Sequence, residues 1–114
     1  MTDNASGAER RPSAIRKRLP NRRGCEHIDF ECAGVRFTAS IGRFDDGGLS
    51  EIFIVGAKAG SALDAACRDA SITFSIAMQS GADAETIRKG LSRDGQGRAT
   101  APLGVLLDLT ADAK

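Results

Sequence analysis

The sequence contains no Trp and no Tyr, five Phe, and one His in 114 residues. Without large aromatics, the core must come from Ala, Ile, Leu, Val and a few Phe. At about 25 cal/mol per Å² of buried apolar surface, such a core leaves a thin stability margin. Self-association or docking on a partner would widen it. The lone His27 sits among acidic neighbours, with no Ser or Cys nucleophile and orienting group in view. It reads as a surface residue rather than a general base. The cysteines, Cys25, Cys32 and Cys67, are odd in number and lack CxxC spacing. With one His, that argues against a closed zinc site. No apolar run is long enough to span a membrane, and the N-terminus has no apolar h-region of a secretory signal. The expectation is a cytoplasmic protein with reduced thiols and no membrane partner.

Charge is unevenly spread. Residues 1–24 carry seven Lys/Arg against two acidic residues, and the remaining ninety carry nine against thirteen. This is a basic arm on a mildly acidic body. The arm, residues 1–23, has almost no hydrophobic periodicity and holds Pro12 and Pro20, so it reads as flexible. Its basic side chains, Arg16, Lys17, Arg18, Arg22 and Arg23, are candidates for holding an acidic partner surface. They could equally hold nucleic acid, but the arm has no aromatic to stack on bases, so that binding would be non-specific and salt-sensitive. A plain solubilising tail is the simplest alternative.

From residue 24 onward the sequence reads as one α+β domain. "EHIDFECAG" alternates, with Ile28, Phe30 and Cys32 on one face. "VRFTASIGRF" alternates through Val35, Phe37, Ala39 and Ile41, and the intervening Ala33-Gly34 is a hairpin turn. "DDGG" at 45–48 marks a second turn, and "LSEIFIVG" a third strand, expected to be less alternating and more buried. Turns this short require an antiparallel meander. From Ser61 the period becomes helical: Leu63, Ala66, Cys67, Ala70, Phe74, Ala77 and Met78 form the stripe, widened by Ile72 and Ile76. Ser61 can cap this helix, with Asp64 in a box-like place, and Gly81 can end it. Asp83 can cap a short second helix through Ile87 and Leu91. "SRDGQGR" is a loop. Pro102 opens a third helix through Leu103, Leu106, Leu107 and Leu109. The order βββααα indicates helices packed on one face of a three-stranded antiparallel sheet.

The stretch "IFIVGAKAGSALDAA" asks the main chemical question. Gly56, Lys58, Gly60 and Ser61 give GxKxGS where a P-loop needs its Lys directly after the final Gly. A dinucleotide fingerprint needs a βαβ unit, and this strand belongs to a meander. Small residues, a Lys and a helix N-terminus are nevertheless ingredients of an anion or nucleotide contact. The alternative is a strand-to-helix hinge in which glycine lets the backbone turn and pack closely. Cys32 and Cys67 fall on apolar faces, where Cys acts as a small hydrophobe. Cys25 is the thiol expected at the surface.

"RKRLPNRR", the hairpin, and "DDGGLSEIFIVGAKAGSALDAACRDASITFSIAMQSGADAETIRKGL" together resemble the TSCPD domain, over about Arg16 to Leu109. This domain is found at the C-terminal end of adenosylcobalamin-dependent (class II) ribonucleotide reductases. It also occurs as short stand-alone proteins or in a separate small reductase chain. The family takes its name from a Thr-Ser-Cys-Pro-Asp motif. At that place this chain reads "ATAPL": Pro102 is kept, while Ala101 and Leu103 replace the Cys and Asp. The resemblance thus implies a bacterial cytoplasmic protein tied to deoxynucleotide supply, with no thiol or metal role at the motif. Reductase catalysis and adenosylcobalamin belong to a large barrel domain that 114 residues do not contain. The expectation is an accessory or regulatory module that binds no cofactor and docks on a reductase large chain or on itself. A nucleotide- or nucleic-acid-binding regulator is the alternative.

Overall fold

The computed structural model describes residues 25–112. The basic arm, with Arg16, Lys17, Arg18, Arg22 and Arg23, lies outside the described residues. Three antiparallel strands in the order β1-β2-β3 form the sheet: β1 (Glu26–Cys32), β2 (Val35–Arg43) and β3 (Leu49–Val55). Three helices follow: α1 (Ala62–Gln79), α2 (Ala84–Gly90) and α3 (Pro102–Asp112). The expected α+β order is therefore the observed one.

The β1–β2 turn has positive φ at both central residues, Ala33 at 53° and Gly34 at 81°. That is the requirement of a type I′ hairpin, whose twist matches the strands it joins. The turn sets the register, pairing Phe30 with Phe37 and Ile28 with Ala39. The two Phe rings stack with centroids 5.5 Å apart. In the second turn, Gly47 has φ 93° and the Asp46 carboxylate accepts from the Gly48 amide at 2.9 Å.

One face of the sheet carries Phe30, Cys32, Phe37, Ala39, Ile41, Ile52 and Ile54 into the core. Cys67, Phe74 and Met78 of α1 and Leu106 and Leu107 of α3 meet them there. Two sequence expectations need correction. β3 alternates strictly, with Ser50, Ile52 and Ile54 buried and Glu51, Phe53 and Val55 exposed, rather than being buried throughout. In α1, Leu63, Ala66, Ile72 and Ile76 are exposed, while Ser71 and Gln79 are buried in the expected apolar stripe's place.

The physical cause is the free edge of β3. α1 lies along it and turns a row of polar side chains towards its backbone. The Ser71 hydroxyl accepts from the Ile54 amide at 3.2 Å. The Ser75 hydroxyl accepts from the Ile52 amide at 3.0 Å and donates to the Ile52 carbonyl at 3.2 Å. The Gln79 side-chain amide donates to the Ser50 carbonyl at 3.1 Å. Residues four apart share a helix face, so Ser71, Ser75 and Gln79 make one ladder. Pairing these groups outweighs burying two more isoleucines, because a buried unpaired backbone group costs roughly 1–3 kcal/mol.

A charged clamp holds the C-terminal half together. Arg93 donates twice to Asp108, at 2.8 Å to each carboxylate oxygen. Arg88 donates to Asp108 at 3.0 Å and also pairs with Glu85. α2 has no fully buried residue, so this clamp and the partly buried Ala84, Ile87 and Leu91 dock it.

Candidate functional site: the glycine turn and the open sheet face

The turn that joins β3 to α1 is built as a tight internal structure. At Gly56, φ is 140°, and an added Cβ would lie 2.4 Å from the Arg36 carbonyl oxygen and 2.8 Å from the Phe37 Cα. Only glycine fits where the chain leaves β3 against β2. Gly60 has φ 81°. Ser61 caps α1: its hydroxyl accepts from the Asp64 amide at 3.1 Å and donates to the Lys58 carbonyl at 2.6 Å. The Asp64 carboxylate reaches back to accept from the Gly60 amide at 3.3 Å. The turn thus carries its own anion at the helix N-terminus, where the helix dipole favours one. Lys58 is exposed at its outer side. The structure therefore brings Gly56, Lys58, Gly60 and Ser61 together in one loop, and most of its polar contacts are internal.

The second feature is the sheet face turned away from the core. β1 displays His27, Asp29 and Glu31 there, β2 Arg36, Thr38 and Ser40, and β3 Glu51, Phe53 and Val55. Phe53 and Val55 are each 45% exposed. Beside them, Ile72 and Ile76 of α1 are 49% and 40% exposed. The four form an apolar strip along the β3–α1 seam. Next to it runs a groove of about 380 Å³, lined by Cys25, Ser40, Glu51, Phe53, Ile72 and Ile76 among others. The sequence reading put Ile72 and Ile76 in the core and so missed this strip. The signal for it was present: Phe53 and Val55 have the opposite parity to Ile52 and Ile54, and Ile72 and Ile76 fall off the Cys67–Phe74–Met78 row.

The thiols sit as expected. Cys25 is exposed, with its sulfur 3.9 Å from the His27 Nε2, while Cys32 and Cys67 are buried. Burial pushes both buried thiols up, away from the reactive thiolate. Cys32 also donates to the Thr100 carbonyl. Among the described residues, no three His, Cys, Asp or Glu side chains converge on a metal-sized site. No helix of the described residues is long and apolar enough to cross a membrane.

A family model described as the TSCPD domain matches residues 7–110. The chain belongs to the TSCPD-domain family. The family is associated with ribonucleotide reductases. The match begins inside the basic arm, so the family pattern covers part of the arm as well as the βββααα body. No curated protein and no solved structure matches this chain. At the family's signature place, Pro102 is the first residue of α3, and the Ala101 carbonyl accepts from the Val105 amide at 3.1 Å. In this TSCPD chain the segment thus serves as a helix start.

Proposed function

We propose that this TSCPD-domain chain is a non-catalytic accessory or regulatory module of ribonucleotide reduction in the bacterial cytoplasm. It acts by docking on the large chain of a reductase or on a second copy of itself. The observation that supports this most is the uncovered strip of Phe53, Val55, Ile72 and Ile76. Contiguous exposed apolar residues rimmed by polar ones mark protein–protein contact sites. The arm's basic residues Arg16, Lys17, Arg18, Arg22 and Arg23 would supply charge for an acidic surface of the partner. Adenosylcobalamin would reside in the partner enzyme, and this chain would bind none.

Mixing the full chain with an adenosylcobalamin-dependent reductase tests the proposal. Co-elution and altered turnover are expected, and Phe53→Glu with Ile76→Glu should weaken association at least tenfold. Neither association nor any effect on turnover would sink it. The alternative is a nucleotide- or nucleic-acid-binding regulator, favoured by the exposed Lys58 over the Gly56–Ser61 turn. It predicts a raised melting midpoint with a nucleotide or an oligonucleotide, lost in Lys58→Ala. The Asp64 carboxylate on the Gly60 amide opposes an incoming phosphate, so docking is the better-supported function.

A further inference from the structure

The two edge strands of the sheet differ. β3 is covered, because Ser71, Ser75 and Gln79 of α1 take up its backbone groups. β1 stands at the other end of the sheet, and among the described residues no strand pairs with its outer edge. The Ala33-Gly34 turn fixes which groups lie there. It closes on Cys32 and Val35 as a hydrogen-bonded pair, so Phe30 and Ile28 bond β2 in their turn, at steps of two. His27, Asp29 and Glu31 therefore direct their N–H and C=O groups outward. We propose that two copies of this chain join β1 to β1, antiparallel and centred on Ile28, in one continuous six-stranded sheet.

Three observations carry this. The first is an edge without the usual guards. β1 holds no Pro and no Lys, and it keeps a regular register with β2 over all seven residues. The bulge of this sheet lies at Gly42–Arg43, where β2 pairs with β3. The second is Ile28. It points to the core face yet is only partly buried, whereas Ala39, its partner on β2, is fully buried. The partner's Ile28 would lie opposite it in a non-hydrogen-bonded pair, where side chains approach most closely. The third is charge, which selects the register. Centred on Asp29, the pairing would set two carboxylates face to face. Centred on Phe30, it would set Glu31 against the partner's Asp29. Centred on His27, it would set Ile28 against the partner's Glu26. Centred on Ile28, it sets His27 beside the partner's Asp29, twice, with an imidazole N–H to donate to each carboxylate. The Thr38 hydroxyl donates to Asp29 at 2.8 Å and holds that carboxylate on the outer face. In this register Phe30 lies beside the partner's Glu26, a residue whose charge Arg43 already meets at 2.8 Å.

An extended segment of another protein is the competing occupant. A second copy is favoured because β1 carries its own complement, His27 for Asp29 and Ile28 for itself. Isologous pairing also satisfies both β1 edges at once and then stops, since α1 covers the edges that remain. The dimer would leave Phe53 and Ile76 uncovered at the two far ends of the six-stranded sheet. It is therefore separate from docking through that strip. Loss of self-pairing with reductase association retained would sink this proposal alone, and the reverse would sink only the docking function.

Sedimentation equilibrium of the full chain tests it, and should show a dimer in exchange with monomer. His27→Glu sets like charges face to face twice and should weaken the dimer about tenfold. Adding Asp29→Lys to that variant restores opposite charges across the pair, and should return the dimer to within about threefold of the unaltered chain. A monomer at all concentrations, no effect of His27→Glu, or no rescue by Asp29→Lys would each overturn the proposal. Cross-linking reads the register independently. With Cys25→Ser removing the exposed native thiol, Ile28→Cys should form a disulfide-linked dimer under mild oxidation. Opposite Cα atoms of a non-hydrogen-bonded pair lie about 4.5 Å apart, within disulfide range. Phe53→Cys, on the strip, should stay reduced. No bridging at position 28, or bridging mainly at position 53, would count equally against it, the latter giving self-association to the strip.

Discussion

Gly56 shows how one residue can look like chemistry and be explained by geometry. Its Cβ position is filled by the β2 backbone, at 2.4 Å from the Arg36 oxygen, and its φ of 140° is unfavourable for any side chain. Gly56→Ala should therefore destabilise the domain by about 3 kcal/mol through backbone displacement and strain. Urea denaturation would measure this. A loss under about 1 kcal/mol would mean that the β2–β3 contact yields more easily than its spacing indicates. Lys58 stands in contrast. It is exposed, and only its backbone carbonyl serves the turn. Its replacement should leave stability unchanged, so any effect of Lys58→Ala on ligand binding would be read without a folding penalty.

At the scale of elements, α1 and β3 depend on each other. An edge strand offers unpaired N–H and C=O groups to any passing chain. Here Ser71, Ser75 and Gln79 take those groups, so the helix does the work of a fourth strand. The double variant Ser71→Ala, Ser75→Ala keeps shape and helix propensity but leaves the Ile52 and Ile54 amides unpaired. It should cost about 2–4 kcal/mol, from about 1–2 per amide. It should also promote concentration-dependent association through the opened edge. Denaturant melts and size-exclusion chromatography would report the two effects, and a stable monomer would refute the edge-covering role.

For the whole molecule, Asp108 ties α3 to α2 and to the loop before α3. The Arg93 fork, assisted by Arg88 against the opposing effect of partial burial, lowers its carboxyl from 3.8 to about 2. A group whose pKa is lower folded than unfolded stabilises the fold fully above its unfolded value. That contribution is complete above about pH 4 and fades as pH falls through about 2. The carboxylate is 30% exposed, so solvent screening limits the effect to about 1 kcal/mol. Asp108→Asn should remove that acid-limb dependence and lower stability at pH 7 by a similar amount. An unchanged stability–pH profile between pH 2 and 5 would show that the clamp is energetically idle. The outer sheet face is the other whole-molecule property, because it exists only once β3 and α1 are set side by side.

Local rules determined much of this protein from sequence. Two positive-φ residues make the Ala33-Gly34 hairpin, Ser61 and Asp83 cap α1 and α2, Pro102 opens α3, and alternation sorts β1 and β2 into faces. Each depends on neighbours within a few positions, so each was legible. The family, too, was legible, from the hairpin and the long stretch that runs from "DDGGLSEIFIVGAKAGS" to "ADAETIRKGL". The rotation of α1 was not. Its apolar residues surround enough of the helix to permit several buried faces, and the choice was made by β3's backbone, seventeen or more residues away. That one tertiary decision buried Ser71 and Gln79, exposed Ile72 and Ile76, and so created the candidate docking strip. Sequence alone set which elements form; the hydrogen-bonding demand of a free strand edge decided which side of the longest helix faces outward.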